Sequence, residues 1–173
     1  MGEFLGVLGN TETGLATIIG RMAAATILGF LIGLDREYLH RPAGVRTHML
    51  VSLAAATFTL VMFELMGTFG DNPDAVADPI RVIEAVTAGV AFLAAGAIIQ
   101  GRGKIHGVTT GAGLWLAGAI GLACGMGAFS IAVLATVLGF VVLTLLRFVT
   151  DAIPKKAPPP ASSKAGGEGS DSG

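Results

Sequence analysis

The chain is poor in the residues that soluble enzymes depend on. Only 13% of its 173 residues are charged, about half the share usual in soluble domains. A single cysteine, Cys124, excludes an internal disulfide framework and a Cys-based zinc finger. The three histidines, His40, His48 and His106, are too scattered to form a metal site, and no metal is expected. Eleven basic residues stand against twelve acidic ones, so there is no charge excess to attract nucleic acid. The segment Gly101-Arg102-Gly103-Lys104 lacks the spacing of a phosphate-binding or dinucleotide-binding loop and reads as a turn with a basic tip. With no nucleophile–base pair either, neither an enzyme nor a cofactor is expected.

What the chain has in abundance is apolar residue and glycine: 53% hydrophobic, with 26 glycines. Apolar stretches cover residues 14–34, 48–67 and 81–100, and a long block spans 108–150. The first three are near the ~20 residues that carry a helix across the hydrocarbon of a bilayer. The long block is two spans, turning in the glycine-rich run 121–127 near Gly125 and Gly127. The alternation of a membrane strand is missing, and lipid demands internally satisfied backbone, so helices are the expected form. The prediction is an all-α, polytopic membrane bundle of about five transmembrane helices.

Orientation follows the basic residues. Nine of the eleven lie in the 35–47 loop, in the 101–107 loop, or from Arg147 onward; Glu3, Glu12, Asp71, Asp74 and Asp78 lie at the opposite ends of the spans. This predicts an external N-terminus and a cytoplasmic C-terminus. The first residues carry no basic charge, unlike a secretory leader, so the first span is expected to remain uncleaved. The organisation expected is an external segment 1–13, a transmembrane domain 14–152 and a disordered cytoplasmic tail 153–173 rich in Pro, Ser and Gly.

Charges within spans are costly, which draws attention to Arg21, Glu64 and Glu84. With Asp78 and Arg81 they form a candidate intramembrane polar cluster in the outer half of the bundle. There, Arg21 either pairs with Glu84 or Glu64 or snorkels to the headgroups. Arg81, Glu84, Ala88, Ala91 and Ala95 share one helical face, which suits either a cavity wall or a packing surface. Gly29 and Gly33, and the ladder Gly113, Ala117, Gly121 and Gly125, read as helix-packing positions and are compatible with a homo-oligomer. Asp78-Pro79 reads as a helix start, Thr109 and Thr110 as caps of the fourth helix, and Trp115 as a packing residue in preference to an interface anchor. Arg36 and Arg41 are placed to reach the headgroups of membrane lipids.

Two regions are more particular than composition requires. One is Gly33-Leu34-Asp35-Arg36-Glu37 with Arg41-Pro42-Ala43-Gly44-Val45-Arg46-Thr47-His48-Met49-Leu50. The other is Gly96-Ala97-Ile98-Ile99-Gln100, then Gly107-Val108-Thr109-Thr110 and Leu114-Trp115, ending in Ala119-Ile120-Gly121-Leu122-Ala123-Cys124-Gly125. With Asp78-Pro79 and Arg81, this pattern resembles the MgtC/SapB family of bacterial inner-membrane proteins, across roughly 14–150. The resemblance implies a modulator of membrane partners linked to adaptation to low magnesium or stress, in a family related to virulence. It brings forward the proton-translocating ATP synthase as a partner. A short, SapB-like form without a soluble C-terminal domain is expected. The resemblance concentrates on the loop motif Asp35, Arg36, Glu37, Arg41, Arg46 and His48, whose alternating charge suits either headgroup contact or a folded loop in which Asp35 and Glu37 pair with Arg41 or Arg46 and dock a partner. Cys124 is either a packing residue or a functional thiol. The alternative function is a small ion transporter or channel with a polar path in the outer half of the bundle.

Overall fold

The structure, a computed structural model, describes residues 11–39, 41–69, 78–99 and 107–151. Five helices account for nearly all of them: α1 (Leu15–Tyr38), α2 (Val45–Phe69), α3 (Pro79–Ile99), α4 (Val108–Met126) and α5 (Phe129–Asp151). Among the described residues there is no strand. The first four helices are long and apolar enough to cross a membrane, and the 129–145 part of α5 is a further apolar helix. The expected tail, the 101–106 loop, His40, and the first ten residues of the segment 1–13 fall outside the described residues.

Local signals explain the helix ends. Asp78 Oδ1 accepts a hydrogen bond from the Ile80 amide at 2.9 Å, so it caps α3 with Pro79 in the first helical position. At the end of α4, Gly127 takes a left-handed conformation, φ 79°. The Gly127 and Ala128 amides then return to the Cys124 and Ala123 carbonyls, a Schellman turn that starts α5 two residues later. The expected threonine caps of α4 are not observed. Left-handed Gly107 precedes the helix with no side-chain cap, while Thr110 is buried within the first turn.

The helices pack around α4. It contacts every other helix, and α1 also lies along α2. Eleven of its nineteen residues are buried, most of them glycine or alanine, so neighbouring backbones come close. An added Cβ at Gly125 would lie 2.7 Å from the Thr59 Cβ, and one at Gly121 would collide with the Ser52 carbonyl. Across the α1–α2 seam, a Cβ at Gly29 would lie 2.8 Å from the His48 carbonyl oxygen and one at Gly33 2.6 Å from the Val45 Cα. Lipid tails offer little hydrophobic drive between helices, so such close backbone approach is what holds a bundle of this kind together. Above and below these contacts sit Ala25, Ile32, Ala56, Ile120 and Cys124, all fully buried.

Candidate functional site

The helices continue further into the charged corner than the apolar pattern suggested. Asp35, Arg36 and Glu37 belong to the last turn of α1, and Arg46 and His48 to the first turn of α2; only residues 39–44 separate the two helices. The expected loop motif is therefore a helix–helix corner. Its members also divide differently. Asp35 and Arg36 are buried, at 8% and 3% exposure, and His48 is wholly buried, whereas Arg41 and Arg46 are exposed. The helix persists because Asp35 and Arg36 lie on its bundle-facing side, in register with buried Ile32 and Gly33.

Pairing across the corner also departs from expectation. Asp35 approaches Arg36, with Oδ2 3.8 Å from Nε. Glu37 instead accepts from the Val45 amide at 3.0 Å. A carboxylate at a helix N-terminus satisfies an orphan amide and suits the dipole there. Glu37 thus fastens α2 to the end of α1.

Inside the corner, four side-chain atoms are buried without a hydrogen-bond partner: Asp35 Oδ2, Arg36 Nε, His48 Nε2 and Ser52 Oγ. His48 Nδ1 lies 2.9 Å from the Gly44 carbonyl. A carbonyl only accepts, so Nδ1 carries the proton, and in the neutral ring Nε2 presents a lone pair. Facing it is Gly113 of α4, where an added Cβ would lie 3.1 Å from His48 Nε2 and 4.0 Å from Arg36 Nε. The missing side chain lets α4 close directly onto the His48 ring and toward the Arg36 guanidinium, with the Ser52 hydroxyl one turn below His48. An unmet buried polar group costs about 1–3 kcal/mol, so several together are unexplained by stability and mark this corner as the candidate site. Ser52 escaped the sequence reading; the signal available was its place four residues after His48 on one helical face.

At the opposite end, the proposed polar cluster separates into independent contacts. Arg21 donates from Nη1 to the Gly125 carbonyl at 2.8 Å and lies 5.7 Å from the Phe63 ring centre. Its partner is the carbonyl end of α4, where cations are favoured, and neither expected carboxylate approaches it. The Glu64 carboxylate accepts from the Glu12 and Thr13 amides at 3.0 and 3.1 Å. Asp78 and Arg81 face each other at 4.0 Å. Glu84 is exposed, as are Ala88, Ala91 and Ala95, so this stripe faces outward and neither packs within the chain nor walls an internal cavity. Trp115 is likewise 55% exposed, contrary to its expected packing role. Cys124 is wholly buried in the central apolar cluster with Ala25, Ala56 and Ile120. No group of three or more metal-ligating side chains gathers among the described residues.

The fold and this buried corner define the class, a multi-pass helical membrane protein. The MgtC family model matches residues 22–152, which includes the whole corner, and the chain belongs to the MgtC family. It is 41% identical over 133 residues to Protein MgtC of Brucella abortus (strain 2308), covering 77% of this chain and 52% of that protein. Protein MgtC of Brucella suis biovar 1 (strain 1330) is similar at the same identity and coverage. Protein MgtC of Salmonella typhimurium (strain LT2) is 36% identical over 126 residues, 73% of this chain and 51% of that protein. The chain thus spans about half the length of the curated relatives it matches. No solved structure matches.

Proposed function

We propose that this chain is a modulator of membrane complexes in a bacterial inner membrane, acting through lateral helix contacts during adaptation to low magnesium. The observation that supports this reading over an ion path is the apolar layer between the two polar ends of the bundle. Between the His48–Ser52 corner and Arg21, the interior holds Ala25, Ile32, Ala56, Ile120 and Cys124. The buried Thr59 and Thr136 hydroxyls near this layer donate to the Ala55 and Ala132 carbonyls of their own helices, which holds both side chains back against their own helix walls. The buried corner is then a local element whose packing a partner or a small polar ligand biases, and the exposed helix faces are the contact surface. The proton-translocating ATP synthase is the partner that family membership brings forward. Affinity capture of the full chain from cross-linked membranes, at low and high magnesium, tests this. A stoichiometric membrane complex enriched at low magnesium is expected, with weaker capture by His48→Ala. Recovery of the chain alone under both conditions refutes it.

A further inference from the structure

Between α2 and α3, which touch only lightly, an open groove of about 650 Å³ runs along the bundle. Val51, Phe58 and Leu65 of α2 and Val82, Val86, Gly89 and Leu93 of α3 are among its lining. Among the described residues its charged members are Asp78 and Arg81, which stand together, at the end where α2 finishes and α3 begins. The stretch from Val51 to Leu65 rises about 21 Å, somewhat more than the ~15 Å of hydrocarbon in one leaflet. A groove that is apolar along its length and charged at one mouth has the polarity of a phospholipid. A helix of a second copy would not call for this one-ended charge.

The mouth is specific in its charge order. Asp78 uses Oδ1 to cap α3, leaving Oδ2 toward the Arg81 Nε at the long distance of 4.0 Å. The Arg81 side chain is 84% exposed. We propose that this groove is a phospholipid site that selects phosphatidylethanolamine. One acyl chain lies between α2 and α3, the phosphate accepts from Arg81, and the primary ammonium donates to Asp78 Oδ2. Such an opposite-charge pair complements a headgroup with one phosphate and one N–H-bearing cation. Phosphatidylglycerol supplies only the anion and sets it beside Asp78. The quaternary ammonium of phosphatidylcholine has no N–H to donate.

The test is native mass spectrometry of the full chain in mild detergent, titrated with the three lipids at matched acyl chains. One retained phosphatidylethanolamine is expected, preferred about tenfold over the other two. Arg81→Gln should weaken its retention about tenfold, the loss of one charge-assisted contact. Asp78→Asn keeps a capping side chain and should erase the preference for phosphatidylethanolamine over phosphatidylglycerol. Gly89→Leu should lower retention of all three lipids, because an added Cβ there meets no atom within 4 Å and the side chain fills the groove without straining the helix. A thermal melt of each variant without added lipid establishes that it is folded. Equal retention of the three lipids, unchanged retention by folded Gly89→Leu, or lipid-free cross-links joining two copies through the groove would each overturn the proposal.

Discussion

Arg21→Ala tests the contact that replaces the expected ion pair. In the structure the guanidinium donates to the Gly125 carbonyl at 2.8 Å, beside the Phe63 ring. A charge-assisted hydrogen bond contributes about 1.5–3 kcal/mol, a cation at a helix C-terminus about 0.3–1, and a cation–π contact about 0.5–1. These overlap, because one charge makes all three, so a loss of about 2–4 kcal/mol is expected. Arg21→Lys should lose roughly half of that, keeping the charge while giving up the planar fork. The decisive variants are the double mutants. Glu64 and Glu84 do not touch Arg21, so Arg21→Ala combined with Glu64→Gln or Glu84→Gln should add to within about 0.5 kcal/mol. Equilibrium unfolding in mixed micelles by SDS titration gives the numbers. Rescue of Arg21→Ala by Glu84→Gln would show an ion pair in the membrane, and a loss below about 0.5 kcal/mol would show a snorkelling side chain; either refutes the reasoning.

Further outcomes follow from the same packing. Gly121→Leu places a side chain against the Ser52 carbonyl and should cost at least the ~1–3 kcal/mol of an overpacked core, whereas Gly96→Leu, at an open surface position, should be near neutral in the same unfolding assay. Asp35→Ala leaves Arg36 buried with its counter-charge removed and should cost about 3 kcal/mol, the low end for a pair broken from one side; changing Arg36 to Met as well should recover much of it, and no recovery would show that the pair does not form. A reporter fused after Lys156 should be cytoplasmic and one inserted near Asn72 external, and finding both on one side would break the alternation of spans.

The five helices among the described residues were legible because apolar length is set by the membrane, and the α4–α5 turn because Gly127 sits where the chain needs a positive φ. The charged corner was not. Asp35, Arg36 and His48 read as loop because charge usually ends a span, yet their burial depends on α4 presenting Gly113 opposite them, a relation between distant segments. Arg21 illustrates a second limit. Its partner is a backbone carbonyl, and every residue type carries one, so no side-chain pattern announces it. Periodicity grouped Glu84 with Ala88, Ala91 and Ala95 on one face but carried no information on whether that face turns inward; α3 turns it away from the bundle. The glycine ladders were the more informative pattern, since close backbone approach leaves few other residue types available.

The proposed modulator role requires that the buried layer of Ala25, Ile32, Ala56, Ile120 and Cys124 carry no ions. Ion flux from liposomes reconstituted with the full chain tests this most directly, with magnesium, potassium and protons each followed by a fluorescent reporter under an imposed gradient. No flux above empty vesicles is expected for any of the three, with or without His48→Ala. Flux that exceeds the control and is lost in His48→Ala would contradict it, because an ion would then be passing from the buried corner through the layer of Ile32, Ala56 and Ile120.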